Sequence, residues 1–275
     1  MTGIGADATG SSLTVPGRDE PVRISWAAAT DTGRRRSANE DSWVAKLPLF
    51  AVADGMGGHS AGDLASAAVV EHLADVARGK FVTTEGIERA LDAATDDIVE
   101  LASETELGVG TTVTGAALIL HDGAPYFAIF NIGDSRVYRF ERNELAQVTR
   151  DHSVVQEMVD AGALTAADAE QHPDSNIITR AVGFGARPAL DYWMLPPRAG
   201  MRLLVCSDGL TKEVSDARIR MHLAAGLSPV ETAGALVDAA LASGGRDNVT
   251  VIVVDVLEAP VDSDLEDTNP RSPHA

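Results

Sequence analysis

Cysteine, positive charge and long apolar runs are all scarce in this chain. One cysteine, Cys206, stands among 275 residues, which excludes an internal disulfide and suits a reducing compartment. Lysine and arginine number 22 against 41 acidic residues, for a net charge of -19. No basic stripe is present to neutralise a phosphate backbone, so nucleic acid is not an expected partner. The same field repels phosphorylated ligands at long range, and any phosphate recognition must therefore be local. No uninterrupted run approaches the ~20 apolar residues of a membrane span. The polar first residues hold no signal-peptide core, so a cytoplasmic location is expected.

What is present is ordinary for a globular chain: 45 % apolar residues with an alanine bias, enough to bury a real core. Residues 1–20, rich in Gly, Ser, Thr and Asp without periodicity, read as a mobile leader. Residues 259–275 read as an acidic disordered tail. Between them no linker or repeat intervenes, so one domain is expected over 21–258.

Apolar and turn patterning predicts strands over 22–30, 42–46 and 49–53, followed by helices over 61–78 and 85–102. Ser60 and Asp63 have capping-box spacing, and Leu64, Ala68, Val69, Leu73 and Val76 form an apolar stripe. Short β-rich runs over 111–120, 124–131, 135–140 and 144–148 are punctuated by Asp122-Gly123, Gly133-Asp134 and Arg142-Asn143. Four strands joined by such short turns are expected to be antiparallel neighbours. Short helices are predicted over 154–161 and 166–171, a buried strand over 201–206, a capped helix over 229–241 and a last strand over 249–256. Helix pairs around a β-meander, with strands apolar on both faces, predict an α+β fold: a four-layer αββα sandwich of two mostly antiparallel sheets.

The chemistry sits in acids. Asp54 ends an apolar run and is followed by Gly55, Gly57 and Gly58; Asp134, Asp208 and Asp247 likewise lie at strand ends or tight turns flanked by Gly or Asn. Asp41, after Asn39-Glu40, opens the strand beside that of Asp54. One such acid alone reads as an Asx turn or a cap. Five of them recurring at strand ends favour a gathered site. Packed carboxylates repel unless something positive lies among them, and no lysine falls within these motifs, which leaves cations. Oxygen-only ligands favour hard ions, Mg²⁺ or Mn²⁺, over zinc.

Six motifs in order, Arg36-Ser37-Ala38-Asn39-Glu40-Asp41, Asp54-Gly55-Met56-Gly57-Gly58-His59, Gly110-Thr111-Thr112, Asn131-Ile132-Gly133-Asp134-Ser135-Arg136, Ser207-Asp208-Gly209 and Arg246-Asp247-Asn248-Val249-Thr250, span nearly the whole ordered chain. In them the chain resembles the metal-dependent protein phosphatases, the type 2C serine/threonine phosphatases, in compact bacterial form. The resemblance implies that Asp54 bridges two Mn²⁺ or Mg²⁺ ions, with the Gly55 carbonyl on one and Asp208 and Asp247 on the other. It implies that Glu40 and Asp41 hold metal-bound waters, and that Asp134 with Asp208 forms a weaker third site. Arg36, five residues before Asp41, matches the phosphate-binding arginine; Arg34 and Arg35 read as solvated charges. Hydrolysis of phosphoserine and phosphothreonine by attack of a dinuclear-metal-bound hydroxide, without a covalent intermediate, follows from the resemblance. Phosphorylated proteins, substrates of a serine/threonine kinase, are the implied partners, and a monomer is expected.

Some departures are informative. Met56 stands where some family members carry a histidine as general acid, and His59 is a nearby substitute or simply a packing residue. Residues 153–180 match a mobile flap, yet His172-Pro173-Asp174-Ser175-Asn176 lacks the usual basic residue. His152 is read as ordering the turn into the next helix, and Met158 and Met194 as core. Two rivals are weaker: a pseudophosphatase that keeps the fold as a binding module would be expected to lose a core acid, and a glycine-loop nucleotide binder lacks the Gly-Lys-Ser/Thr ending.

Overall fold

The computed structural model describes residues 1–57, 61–103, 108–169, 172–184, 187 and 189–260. The last residues of the expected acidic tail, and His59 and Ser60, therefore lie outside the described residues. Among the described residues, thirteen strands and seven helices follow in chain order. The first half comprises β1 (Gly3–Gly5), β2 (Ala8–Leu13), β3 (Val22–Asp31), β4 (Asp41–Lys46), β5 (Leu49–Met56), α1 (Ala61–Val76), α2 (Thr84–Ser103), β6 (Gly110–Thr111), β7 (Val113–His121) and β8 (Ala124–Ile132). The second comprises β9 (Arg136–Glu141), β10 (Glu144–Gln147), α3 (Val154–Asp160), α4 (Ala166–Ala169), β11 (Asp191–Leu195), β12 (Arg202–Cys206), α5 (Asp208–Thr211), α6 (Asp216–Ala224), α7 (Pro229–Ser243) and β13 (Val249–Glu258).

Strand parity builds the layers, because successive side chains point to opposite faces. From β5, Phe50 and Val52 pack against Ile252 and Val254 of β13 and Leu203 and Val205 of β12. The intervening Leu49, Ala51 and Ala53 face Leu73 of α1 and Ile87 and Ile98 of α2. From β12 and β13, Leu204, Cys206, Val251 and Val253 face Leu236 and Ala240 of α7. Each central strand is thus buried on both faces, which is why it reads as a continuous apolar run rather than an alternation. The predicted αββα sandwich is the observed fold. One sheet has seven strands in the order β1-β4-β5-β7-β8-β11, with β6 also on β5; the other has six, β10-β9-β12-β13-β3-β2. Every strand pairing is antiparallel except that of β1 with β4.

Three expectations need correction. Residues 1–20 are not a loose leader: β1 and β2 close sheet edges, Trp43 N donates to Thr2 O at 2.9 Å, and Leu13 and Val15 are buried. Backbone pairing at an edge needs no side-chain alternation, so glycine-rich sequence hid it. The four-strand meander is really two hairpins in different sheets, β7-β8 and β9-β10. Gly133-Asp134-Ser135 carries the chain between layers instead of reversing it, and Gly133 has φ of 109° where a Cβ would stand 2.6 Å from the Thr112 side chain. In α1 the buried face is Ala61, Ala65, Val69, Val70 and Leu73, and Leu64 is half exposed. The helix α7 is as expected, with Ser228 and Glu231 forming a full capping box after which Pro229 begins the first turn. Strand β11 and helices α5 and α6 had no clear sequence signal.

Candidate metal centre

Two strand registers bring the acids together. On the β4-β5 ladder Asp41 pairs directly with Asp54. On the β9-β12 ladder the last pair is Arg136 with Cys206, and Asp134 and Asp208 each lie two residues beyond it on their own strands. Asp247 lies two residues before β13, whose Val251 also pairs with Cys206. All five acids therefore gather at one end of the sandwich, as the strand-end reading expected.

Asp41 joins the two sheets. It is fully buried, and its Oδ2 accepts from Ser207 Oγ at 2.9 Å and Thr250 Oγ1 at 2.6 Å, both from the opposite sheet. Its Oδ1 finds no hydrogen-bond partner among the described residues. Burial, with Asp208 and Asp247 nearby, outweighs the two hydroxyls and pushes its carboxyl up to about 7. Asp54 is held through its backbone: its carbonyl accepts from Thr112 N and Thr111 Oγ1, each at 2.9 Å, and its N donates to Thr112 Oγ1 at 3.1 Å. The Gly110-Thr111-Thr112 motif is therefore the clamp on this acid, a role not evident in sequence. Burial and then Asp41, Asp208, Asp134 and Asp247 hold the Asp54 carboxyl well above its usual range.

Gly55 is required by crowding. A Cβ there would stand 2.0 Å from Gly62 O and 2.7 Å from Glu40 O. Gly209, after Asp208, is as tightly placed, 1.8 Å from Asn248 O. Asn248 binds three loops at once: its Oδ1 accepts from Glu40 N at 2.8 Å, and its Nδ2 donates to Thr32 O and Ala38 O, each at 2.9 Å. Sequence reasoning gave it no role beyond its motif. Glu40, half-buried, is raised by burial and by Asp63 and Asp247, against the pull of Arg36.

Positive charge enters from two side chains. Arg36, half exposed, donates from Nη2 to Asp247 Oδ2 at 2.8 Å, whereas Arg34 and Arg35 are exposed. Lys212, four residues after Asp208, pairs with Asp208 Oδ2. A lysine does reach the acids, contrary to expectation, from just past the motif. The second oxygen of Asp208, Oδ1, is buried without a partner among the described residues. Burial, followed by Asp208, raises the Asp134 carboxyl to about 7, and Lys212 tempers the rise.

The donor set fits hard divalent ions. It is all oxygen, two of its buried carboxylate oxygens are unsatisfied, and its members repel one another. As they stand, no three His, Cys, Asp or Glu side chains among the described residues are grouped to hold an ion; the carboxylates share one end of the sandwich.

Beside the acids, Met56, Ile178, Thr179, Arg180, Ala181, Phe184 and Ala189 line a cavity of about 490 Å³, so the flap region forms one wall of the cleft. His152 is buried; its N and O bond Gly133 O (2.9 Å) and Thr179 N (2.8 Å), its Nδ1 accepts from Gly133 N at 3.1 Å, and its Nε2 lies 3.0 Å from Asp191 Oδ2. It anchors the Asp134 crossover to the flap rather than only starting α3. Met194 packs beside the buried Ala128, and Met158 is only partly buried.

Comparison with known proteins identifies the family. Residues 32–243 match the protein phosphatase 2C family. The chain is 41 % identical over 253 residues to the serine/threonine protein phosphatase PstP of Mycobacterium tuberculosis, covering 90 % of this chain and 47 % of that one. It thus spans about half the length of that relative. The serine/threonine phosphatase stp of Listeria innocua is 36 % identical over 239 residues, 82 % of this chain and 93 % of its own. The catalytic domain of PstP in complex with two manganese ions superposes with a TM-score of 0.75 at 37 % identity, over 85 % of this chain and 98 % of that one.

Proposed function

Because the chain belongs to the protein phosphatase 2C family of serine/threonine phosphatases, we propose that it hydrolyses phosphoserine and phosphothreonine in proteins using Mn²⁺ or Mg²⁺. The observation that carries this is the end-on gathering of Asp41, Asp54, Asp134, Asp208 and Asp247, with Asp41 Oδ1 and Asp208 Oδ1 buried and unsatisfied. Bound there, two divalent ions would activate a shared water and clamp the phosphoryl oxygens for in-line displacement, which needs no side-chain nucleophile.

The chain's own residues set up that reaction. Asp54, whose backbone is held by Thr111 and Thr112, would hold the ions together with the Gly55 carbonyl. Asp208 and Asp247 offer ligands from the second sheet, and Glu40 and Asp41 hold water at the periphery. Asp134, close to Asp208, would serve only a weaker, further position. Arg36 exchanges Asp247 for two phosphate oxygens, a bidentate grip that lysine cannot provide. Met56 supplies no proton to the leaving group, which leaves that step to water or to another residue. The phosphorylated segment of a kinase substrate lies along the cleft between Met56 and the flap.

Hydrolysis of p-nitrophenyl phosphate and of a phosphothreonine peptide, with and without Mn²⁺, tests the proposal. The wild type is expected to turn over both only with the ion. Turnover no greater than that of Asp54→Ala would overturn it.

A further inference from the structure

Lys212 reaches the acid cluster from outside the six motifs that hold the acids. It follows the short helix α5, with its N donating to Asp208 O at 2.9 Å, and its ammonium pairs with Asp208 Oδ2. Its backbone is fixed on both sides. Lys212 O accepts from Arg246 Nη2 at 3.3 Å, and the neighbouring Glu213, 3 % exposed, takes Arg246 Nε at 2.8 Å and Arg246 N at 3.0 Å. The ammonium is therefore delivered to Asp208 by an anchored turn rather than by a free loop. It uses only one carboxylate oxygen, and the other, Oδ1, stays buried and open. Asp134, just before β9, is near enough that its charge acts on both Asp208 and Lys212.

We propose that the Lys212 ammonium takes the place of a third divalent ion between Asp134 and Asp208, so that this chain retains two ions and resists a third. The inference rests on the proposed metal-dependent reading. A fixed cation neutralises Asp208 on the Asp134 side and repels a divalent ion approaching the same oxygens. An ion could settle there only by displacing Lys212 and leaving its partly buried charge unpaired. Oδ1 of Asp208 is left without a partner by this pairing. The electrostatics agree: burial works against the Lys212 charge, but Asp208, Asp134 and Asp54 together hold its pKa above the usual value.

The test is the number and affinity of bound ions, read by titrating the full chain with Mn²⁺ and following free Mn²⁺ by electron spin resonance. The wild type is expected to hold about two ions, with any further site weak. In Lys212→Gln the weakest site should tighten by about tenfold or more, whereas Lys212→Arg, which keeps the charge, should behave as wild type. Weakest-site affinities equal in all three proteins would overturn this inference while leaving the two-ion reading intact. A wild type that binds no Mn²⁺ would overturn both. Melting of each variant without ions shows whether a lost site reflects loss of fold.

Discussion

The acids of the two sheets are kept in different ways. In the first sheet, Asp41 and Asp54 face each other across a ladder; the Asp41 carboxylate accepts from the Ser207 and Thr250 hydroxyls, and Asp54 is tied to Thr111 and Thr112 through its backbone. In the second, Asp208 and Asp247 each meet a cation, Lys212 and Arg36. Neutral donors cannot cancel a carboxylate's charge, so burial and then the neighbouring acids hold both carboxyls of the first pair above their usual range. The second pair is balanced by side-chain cations; in the proposed function Arg36 would be released toward a phosphate, the first sheet would create the demand for ions and the second would tune their number.

The most severe way to break this contrast is Asp54→Asn. It removes the centre of the repulsion, so the protein without ions is expected to gain about 1–2 kcal/mol and melt ~2–4 °C higher. Mn²⁺-stimulated turnover should fall by about a thousandfold or more at the same time. Melting in a chelator and p-nitrophenyl phosphate kinetics read the two effects. A variant that melts below wild type would mean that Asp54 is not a strained charge.

The next effect is on pH. Asp41 and Asp134, each raised to about 7, bind more protons folded than unfolded, where a carboxyl titrates near about 4. Their protonated form therefore stabilises the fold fully below about 4, and that contribution is lost as pH rises through about 7. Without ions, the melting temperature is expected to fall by several degrees between about pH 5 and 8, and saturating Mn²⁺ should flatten the slope because ions replace the protons. A stability that rises over that window without ions would refute the assignment.

How much of this was legible in sequence follows locality. The site acids were readable because a strand end or tight turn is a local event: Asp54 and Asp208 close apolar runs before Gly, and Asp41, Asp134 and Asp247 sit beside short turn residues at the start of strands. The layer order was readable because β5, β12 and β13 are apolar on both parities. Lys212 was not, since its reach to Asp208 depends on α5, a single turn with no periodic signal. Asn248 was not, because its three partners come from loops remote in the chain. The crossing at Gly133 was missed because a three-residue link between strands looks the same whether the chain reverses within a sheet or steps to the next.

Arg36→Ala sharpens the second-sheet side. Its guanidinium is about half exposed and its ion-pair partner is Asp247, so its loss should disturb the fold little. KM for a phosphothreonine peptide is expected to rise about ten- to thirtyfold, with Mn²⁺ affinity changed by less than about threefold. Arg36→Lys should recover only part of the loss, because a point charge cannot grip two oxygens. Unchanged KM would remove Arg36 from the site.

The smallest effect probes the first-sheet side. Thr250→Val keeps shape but deletes the hydroxyl that donates to Asp41 Oδ2 at 2.6 Å and meets Thr30 Oγ1 at 2.8 Å. That hydroxyl lowers the Asp41 carboxyl, though less than burial raises it, so its loss moves the carboxyl further up. The ionised form loses more than the protonated form. The cost in stability should therefore be about 1–1.5 kcal/mol above about pH 8 and less near about pH 5. Parallel melts of variant and wild type across that range check it. A cost that is the same at both ends would mean that Thr250 packs beside Asp41 without carrying its charge, and the support of the Asp41 charge by a neutral donor would rest on Ser207 alone.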